Sequence, residues 1–303
     1  MPHRQVLAVL GAVMLAACAG DPIAPAARAP LATEPLAIKY GDLDGNTHPY
    51  VGLMIAQDAA QNPMWRCSGT LVSPTVFLTA GHCTESPAAH VEIWFDADVS
   101  AGRPANGYPF NGPAEGTPYT HPQYDPNAFF RYDLGVVVLS APVSMPSYGA
   151  LPTLDVLDQL AKRRGLQDVN FTAVGYGLQF INPVFVSSAL VRMSATPNLI
   201  QINNGVVGDY SIMLSNNHST GGTCFGDSGG PNFIDGSNVV GGVTSFAFNG
   251  NCAGTGGVYR VDRADDLAWL HPLFAPRMVA ANTRRLAQLG VTEDLTDALV
   301  AVL

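Results

Sequence analysis

The chain has 303 residues, 47% of them hydrophobic, which excludes a disordered protein although only 13% are charged. Acidic residues outnumber basic ones 24 to 15, for a net charge of −9, and no Lys/Arg cluster occurs, which excludes a nucleic-acid partner. The 31 glycines and 23 prolines favour short strands joined by turns, and five cysteines leave one without an internal partner if the protein is exported.

Residues 1–19 read as an export signal: His3 and Arg4 precede the apolar run 6–17, and small residues follow. That run spans about 18 Å as a helix, well short of the roughly 30 Å hydrocarbon core of a bilayer. No other stretch approaches a membrane span. The cut site has two readings. Leu15-Ala16-Ala17-Cys18 resembles the lipobox of bacterial lipoproteins, whose cysteine becomes the lipidated first residue. Ala17-Cys18-Ala19 also satisfies the small-x-small rule of an ordinary signal peptidase, which discards Cys18. The match at all four lipobox positions favours the lipoprotein. In a Gram-negative cell, Ala19 after the cysteine resembles signals for outer-membrane delivery. Residues 20–37 follow as an extended linker or short propeptide, with Pro22, Pro25, Pro30 and Pro35 among alanines. At polyproline rise this stretch reaches at most about 55 Å.

From residue 50 to 260 the apolar runs are short, β-branched and bounded by Gly, Pro, Asn or Asp. Residues 51–56, 76–79, 91–95, 134–139, 169–176 and 239–246 read as buried strands of a barrel or sandwich. Helical patterns are confined to 154–162 and 264–270, and there is no internal repeat. The pattern predicts an antiparallel all-β protein. In the C-terminal extension 273–303, Leu286 and Leu289 share one helical spacing. Leu295, Leu299 and Val302 share another after a Thr292 cap. Two short helices packed on the domain are expected there, with a partner-binding tail as the second reading.

Three segments carry chemistry. The first is Gly226-Asp227-Ser228-Gly229-Gly230-Pro231. A serine hydroxyl needs a base to become a nucleophile, and flanking glycines permit a turn whose N–H groups converge on an oxyanion. The second is Thr79-Ala80-Gly81-His82-Cys83, at the end of an apolar strand. His3, His48, His90, His121, His218 and His271 read as structural or surface residues. His82 differs: a bridge from Cys83 back to Cys67, across the turn at Ser73-Pro74, would staple the hairpin and fix the imidazole. The third is Asp133, a carboxylate at the mouth of the buried run 134–139, costly there unless paired.

Together these segments resemble the trypsin/chymotrypsin family of serine proteases, over about residues 38–272. The order His82, Asp133, Ser228 is that family's order, and differs from the subtilisin and α/β-hydrolase orders. The resemblance implies two six-stranded antiparallel β-barrels with the site in the cleft between them, followed by a C-terminal helix and the short helical extension. It pairs Cys67 with Cys83 and Cys224 with Cys252. It assigns Ser228 as nucleophile, His82 as base and then acid, and Asp133 as the group that orients His82 and stabilises its imidazolium. The backbone N–H groups of Gly226 and Ser228 would form the oxyanion hole, and Ser245 would hydrogen-bond the aspartate. The specificity pocket would have Gly222 at its floor, followed by Thr223, with walls at Ala247 and Gly257. Gly222 stands where trypsin-like enzymes carry Asp, so cleavage after Lys or Arg is not expected. The Ala247 methyl would narrow the entrance and favour uncharged, small-to-medium apolar residues.

Activation has two readings. Ile38-Lys39-Tyr40-Gly41 imperfectly resembles the N-terminus freed in the family's zymogens, whose ammonium pairs with the residue matching Asp227. Ala37 before it excludes a trypsin-like activator, and a cut there would release the domain from a lipid anchor. In the other reading the chain works uncut, with Asp227 paired internally. The expected protein is an exported endopeptidase, secreted or anchored at the cell envelope. Its partners are protein or peptide substrates, it is a monomer, and membrane attachment comes only through a lipidated Cys18. Phosphate loops and zinc patterns are absent, and Asp96 and Asp98 read as solvated, so no cofactor and no metal are expected. A binding protein on a protease fold and an esterase with the same triad are the alternatives.

Overall fold

The protein is described by a computed structural model over residues 38–161, 168–181, 186–204 and 207–273. The export signal, the linker 20–37, and the extension beyond residue 273, with both of its expected helices, lie outside the described residues. The short strand β1 (Asp42–Leu43) precedes six strands: β2 (Val51–Gln57), β3 (Pro63–Ser73), β4 (Val76–Thr79), β5 (His90–Trp94), β6 (Ala114–Thr120) and β7 (Gly135–Leu139). These six pair antiparallel in the order β2-β3-β4-β7-β6-β5 and close into a barrel where β2 meets β5. All seven residues of β2 are buried, which is why its sequence runs apolar instead of alternating. The runs predicted at 51–56, 76–79, 91–95 and 134–139 fall on β2, β4, β5 and β7. Strand β6 escapes the pattern because its buried positions are Ala114 and Gly116 and it contains Pro118. Beyond Gly116 it pairs with β7 alone, and on such an edge a missing N–H is tolerated.

The second half carries α1 (Val156–Ala161), β8 (Phe171–Gly175), the separate hairpin of β9 (Phe180–Ile181) and β10 (Val186–Ser187), then β11 (Met193–Ala195) and β12 (Leu199–Asn204). It continues with β13 (Gly208–Asn216), β14 (Pro231–Ile234), β15 (Val240–Ala247) and β16 (Gly254–Arg260). The main sheet runs β1-β11-β8-β14-β15-β16-β13-β12. Strands β11 and β12 are two halves of one path: the first pairs with β8 and the second with β13, so the chain itself joins the curled sheet's two ends. Phe171 N–H donates to Pro197 O at 2.9 Å and Leu199 N–H to Val169 O at 2.8 Å along that seam. Counting this path once gives six strand positions around the second barrel. Residues 264–273 form a helix, and α1 and this helix fall on the two predicted helical patterns.

The chain laces the two halves together. At its start, β1 pairs with β11 and Lys39 bridges Gly222, both in the second barrel. At its end, Trp269, Leu270 and Leu273 of the helix pack into the core cluster that contains the first barrel's strands. Between them Arg192 is fully buried. Its guanidinium donates to Asp44 at 3.1 Å, to the carbonyls of Gly45 (2.5 Å), Val51 (3.0 Å) and Phe95 (3.0 Å), and to Tyr176 Oη at 3.1 Å. A buried cation is tolerable only when so fully satisfied.

Candidate active site

The hydroxyl of the Gly226–Pro231 segment is positioned by a tight loop. Asp227 N–H donates to Cys224 O at 3.0 Å, and Gly230 N–H to Asp227 O at 2.8 Å. Gly229 N–H reaches Thr244 O at 2.8 Å, and Thr244 N–H returns to Gly230 O at 2.9 Å. Gly226 sits at φ +96°, where a side chain would be strained, which accounts for glycine there. The N–H groups of Gly226 and Ser228 donate to no acceptor among the described residues, while those of Gly229 and Gly230 are taken up internally. Two free, adjacent donors are what an oxyanion requires.

Ser68 of β3 ties this loop to the first barrel, a role no local sequence signal announced. Its N–H donates to Ser228 O at 2.8 Å and its Oγ to Gly226 O at 2.9 Å, while it accepts from Tyr176 N–H at 3.0 Å. One residue earlier, Cys67 is bonded to Cys83, so the same strand holds His82 on the one-turn helix Gly81–Cys83. The second disulfide joins Cys224 to Cys252 beside the loop.

Asp133 is fully buried and spans the gap between the barrels. Its carboxylate lies 2.9 and 3.0 Å from His82 Nδ1 and accepts the His82 backbone N–H at 2.9 Å. Ser245 Oγ donates to the same carboxylate at 2.5 Å. Ser245 reaches it because the β15–β16 register shifts between Thr244 and Phe246, leaving residue 245 as a bulge turned toward the cleft. Burial opposes protonation of His82, but the charge and hydrogen bond of Asp133 outweigh it and hold the imidazole pKa above its ordinary value. With Nδ1 on Asp133, Nε2 is the nitrogen left toward the cleft, and the side chain is 27% exposed. Neither His82 Nε2 nor Ser228 Oγ has a hydrogen-bond partner among the described residues.

Asp227 is buried with no ion pair within 4 Å among the described residues, and the charge of Arg66 only partly offsets the cost of that burial. Its carboxylate accepts Gly177 N–H at 2.7 Å and Cys224 N–H at 2.8 Å, and burial raises its pKa to about 7. Ile38 is fully buried with Met193 and Ala195.

A cavity of about 60 Å³ opens beside Ser228, lined by Thr223, Cys224, Phe225, Thr244, Ser245, Phe246 and Ala247. Thr223 and Ala247 thus face it. Gly222 and Gly257 are covered: a side chain on Gly222 would collide with the Asn216 amide, and one on Gly257 with the Phe246 ring. Asn216 Nδ2 donates to Thr223 O at 2.7 Å, and its buried Oδ1 has no partner. Phe246 stacks edge-on with Phe129 (5.5 Å) and Phe248 (5.4 Å), two exposed rings. Sequence reading overlooked Asn216 and these rings; only the strand pairing brings them here.

Of the remaining histidines, His121 is a core residue stacked on Tyr132, His48 pairs with Asp44, and His218 packs on Tyr40. His90 lies 2.9 Å from Glu92 and 3.5 Å from Glu115, away from the cleft. Among the described residues, no helix is long and apolar enough to cross a membrane.

The family model described as Trypsin matches residues 44–267. Brachyurin of Leptuca pugilator is 30% identical over 218 residues, covering 68% of this chain and 84% of the relative. Trypsin of Saccharopolyspora erythraea is 28% identical over 228 residues, covering 72% and 89%. Among solved structures, HL collagenase superposes with TM-score 0.57 at 19% identity, covering 77% of this chain and 96% of its own. Human heparin binding protein superposes with TM-score 0.55 at 18% identity, covering 75% and 91%. With a closed antiparallel barrel, a curled second sheet and one disulfide within each half, the chain belongs to the trypsin family of serine proteases.

Proposed function

We propose that the chain is a serine endopeptidase working through Ser228, His82 and Asp133. One observation carries this reading: the buried Asp133 carboxylate holds His82 Nδ1 at 2.9 Å and accepts Ser245 Oγ, and Ser245 lines the same cavity as Ser228, whose loop carries two free N–H groups. His82 Nε2 takes the proton as Ser228 Oγ attacks the scissile carbonyl, and Asp133 stabilises the imidazolium formed. The N–H groups of Gly226 and Ser228 receive the oxyanion, each worth about 3 kcal/mol in such sites. His82 then returns the proton to the leaving amine, and water hydrolyses the acyl-enzyme by the same route. The Ser228–His82 hydrogen bond forms when substrate closes the cleft, as is common for nucleophile–base pairs that are open in the free enzyme. The small cavity and the Ala247 methyl favour uncharged, small-to-medium apolar residues before the scissile bond.

Fluorophosphonate labelling together with peptide hydrolysis tests the reading. Labelling and cleavage are expected in the wild type and lost in Ser228→Ala. A protein that is never labelled, or is labelled equally in the variant, refutes the assignment and favours a binding role. Two disulfides suit folding in an oxidising compartment, so we place the enzyme outside the cytosol. Metabolic fatty-acid labelling that disappears in Cys18→Ser tests the lipid anchor.

A further inference from the structure

Arg66 of β3 is half-buried and directly precedes the Cys67–Cys83 bridge. A carbon added to Gly226 Cα would lie 3.0 Å from Arg66 Nη2 and 3.2 Å from its Nε, so the guanidinium lies against the oxyanion loop. The deeper arginines Arg192, Arg260 and Arg263 each hold one or more carboxylates. Arg66 makes no hydrogen bond and no ion pair within 4 Å among the described residues, although its charge favours the ionised form of the buried Asp227 carboxylate behind the loop. A partly desolvated guanidinium that feels a nearby carboxylate only through space, without hydrogen-bonding it, keeps its planar fork open to a carboxylate of the substrate.

Reaction chemistry tells which end of a substrate passes there. His82 must protonate the leaving amine, so the leaving group lies beside His82, whose neighbour Cys83 is bonded to the residue after Arg66. The cavity for the acyl side chain lies with the segments around Thr223–Phe225 and Thr244–Ala247 instead. We propose that Arg66 selects leaving groups carrying a carboxylate, either an acidic side chain at the first or second residue after the scissile bond or a free C-terminus there. This rests on the endopeptidase reading above. The net charge of −9 works against acidic substrates at long range, so a preference for them must be local.

The test uses the full chain and peptides that differ only after the scissile bond. One arm places Ala, Asp or Lys at the first or second position in C-terminally amidated peptides. The other keeps Ala and ends the peptide two residues after the bond, as free acid or amide. Asp is expected to exceed Ala by about 5- to 10-fold in kcat/KM, and Lys to fall below it. The free-acid arm tells whether a terminal carboxylate suffices. The Asp:Ala ratio should fall to near one in Arg66→Gln and invert in Arg66→Glu. It is read within each enzyme, so a general loss of activity cancels, and fluorophosphonate labelling reports that each variant has assembled its site. In wild type the ratio should also shrink in about 0.5 M salt. Equal wild-type rates on both arms, or a ratio that survives Arg66→Gln, overturn the proposal. A protein neither labelled nor able to cleave any peptide overturns the endopeptidase reading, and this inference with it.

Discussion

The Ser245–Asp133 hydrogen bond offers a sharp perturbation, because the acceptor is a fully buried charge. Among the described residues the carboxylate has only the His82 backbone N–H, His82 Nδ1 and Ser245 Oγ as hydrogen-bond donors. Ser245→Ala removes one of the three, and a water entering from the cavity that Ser245 lines would restore the bond only at the cost of being immobilised. A hydrogen bond to a buried charged group is worth about 1.5–3 kcal/mol, so the variant should lose about 2 kcal/mol of stability. For a domain of this size that corresponds to roughly 4–8 °C in Tm. The effect on chemistry has its own sign. A carboxylate with one donor fewer holds the imidazolium proton more tightly, so the acid limb of kcat/KM should move to higher pH. A looser carboxylate also orients His82 less well, costing about tenfold in kcat/KM. Urea unfolding of the variant in a Ser228→Ala background, which prevents self-digestion, measures the first quantity; a pH series in the active background measures the second. Stability within about 0.5 kcal/mol of the parent, together with an unmoved acid limb, would refute the reasoning.

The pH profile of kcat/KM should rise through an apparent pKa above 6.5, since the base must be neutral and Asp133 holds His82 high; a profile flat down to about pH 4 excludes His82 as base. Ala247→Gly removes the methyl at the cavity wall and should raise kcat/KM for Phe relative to Ala before the scissile bond by about tenfold, read from a matched peptide series; an unchanged ratio would remove Ala247 from the pocket. Conformational stability should decline between about pH 5 and pH 8. Burial raises Asp227 to about 7 and Asp266 to about 8, so the folded protein binds protons there that the unfolded chain has released, and His82 acts in the same direction. His121, lowered by burial, opposes them. Thermal melts of Ser228→Ala across that range check the sign, and stability that rose with pH would contradict it.

Legibility in the sequence followed how local each feature is. Strands β2, β4, β5 and β7 could be read because their buried faces are apolar runs within a single stretch. Strand β6 could not, because small residues and a proline fill its positions, and β11 could not, because three residues paired to a distant strand carry no pattern. Around the cleft, the histidine, aspartate and serine segments stood out as residue strings. Ser68, Asn216 and Phe129 carry no such string; their roles come from contacts to Ser228, Gly222 and Phe246.

By itself the sequence determined the strand class, the cysteines available to bridge, and the three segments that bear an acid, a base and a hydroxyl. Those are properties of composition and of neighbours along the chain. Only the tertiary structure decided that a register shift turns Ser245 onto Asp133, that Asn216 and Phe246 cover the two glycines expected at the pocket, and that the Arg66 guanidinium lies against Gly226 with no hydrogen bond among the described residues. Each of these depends on strand register, in which one residue of slip reverses the face a side chain occupies, and register is a property of the folded barrels as a whole.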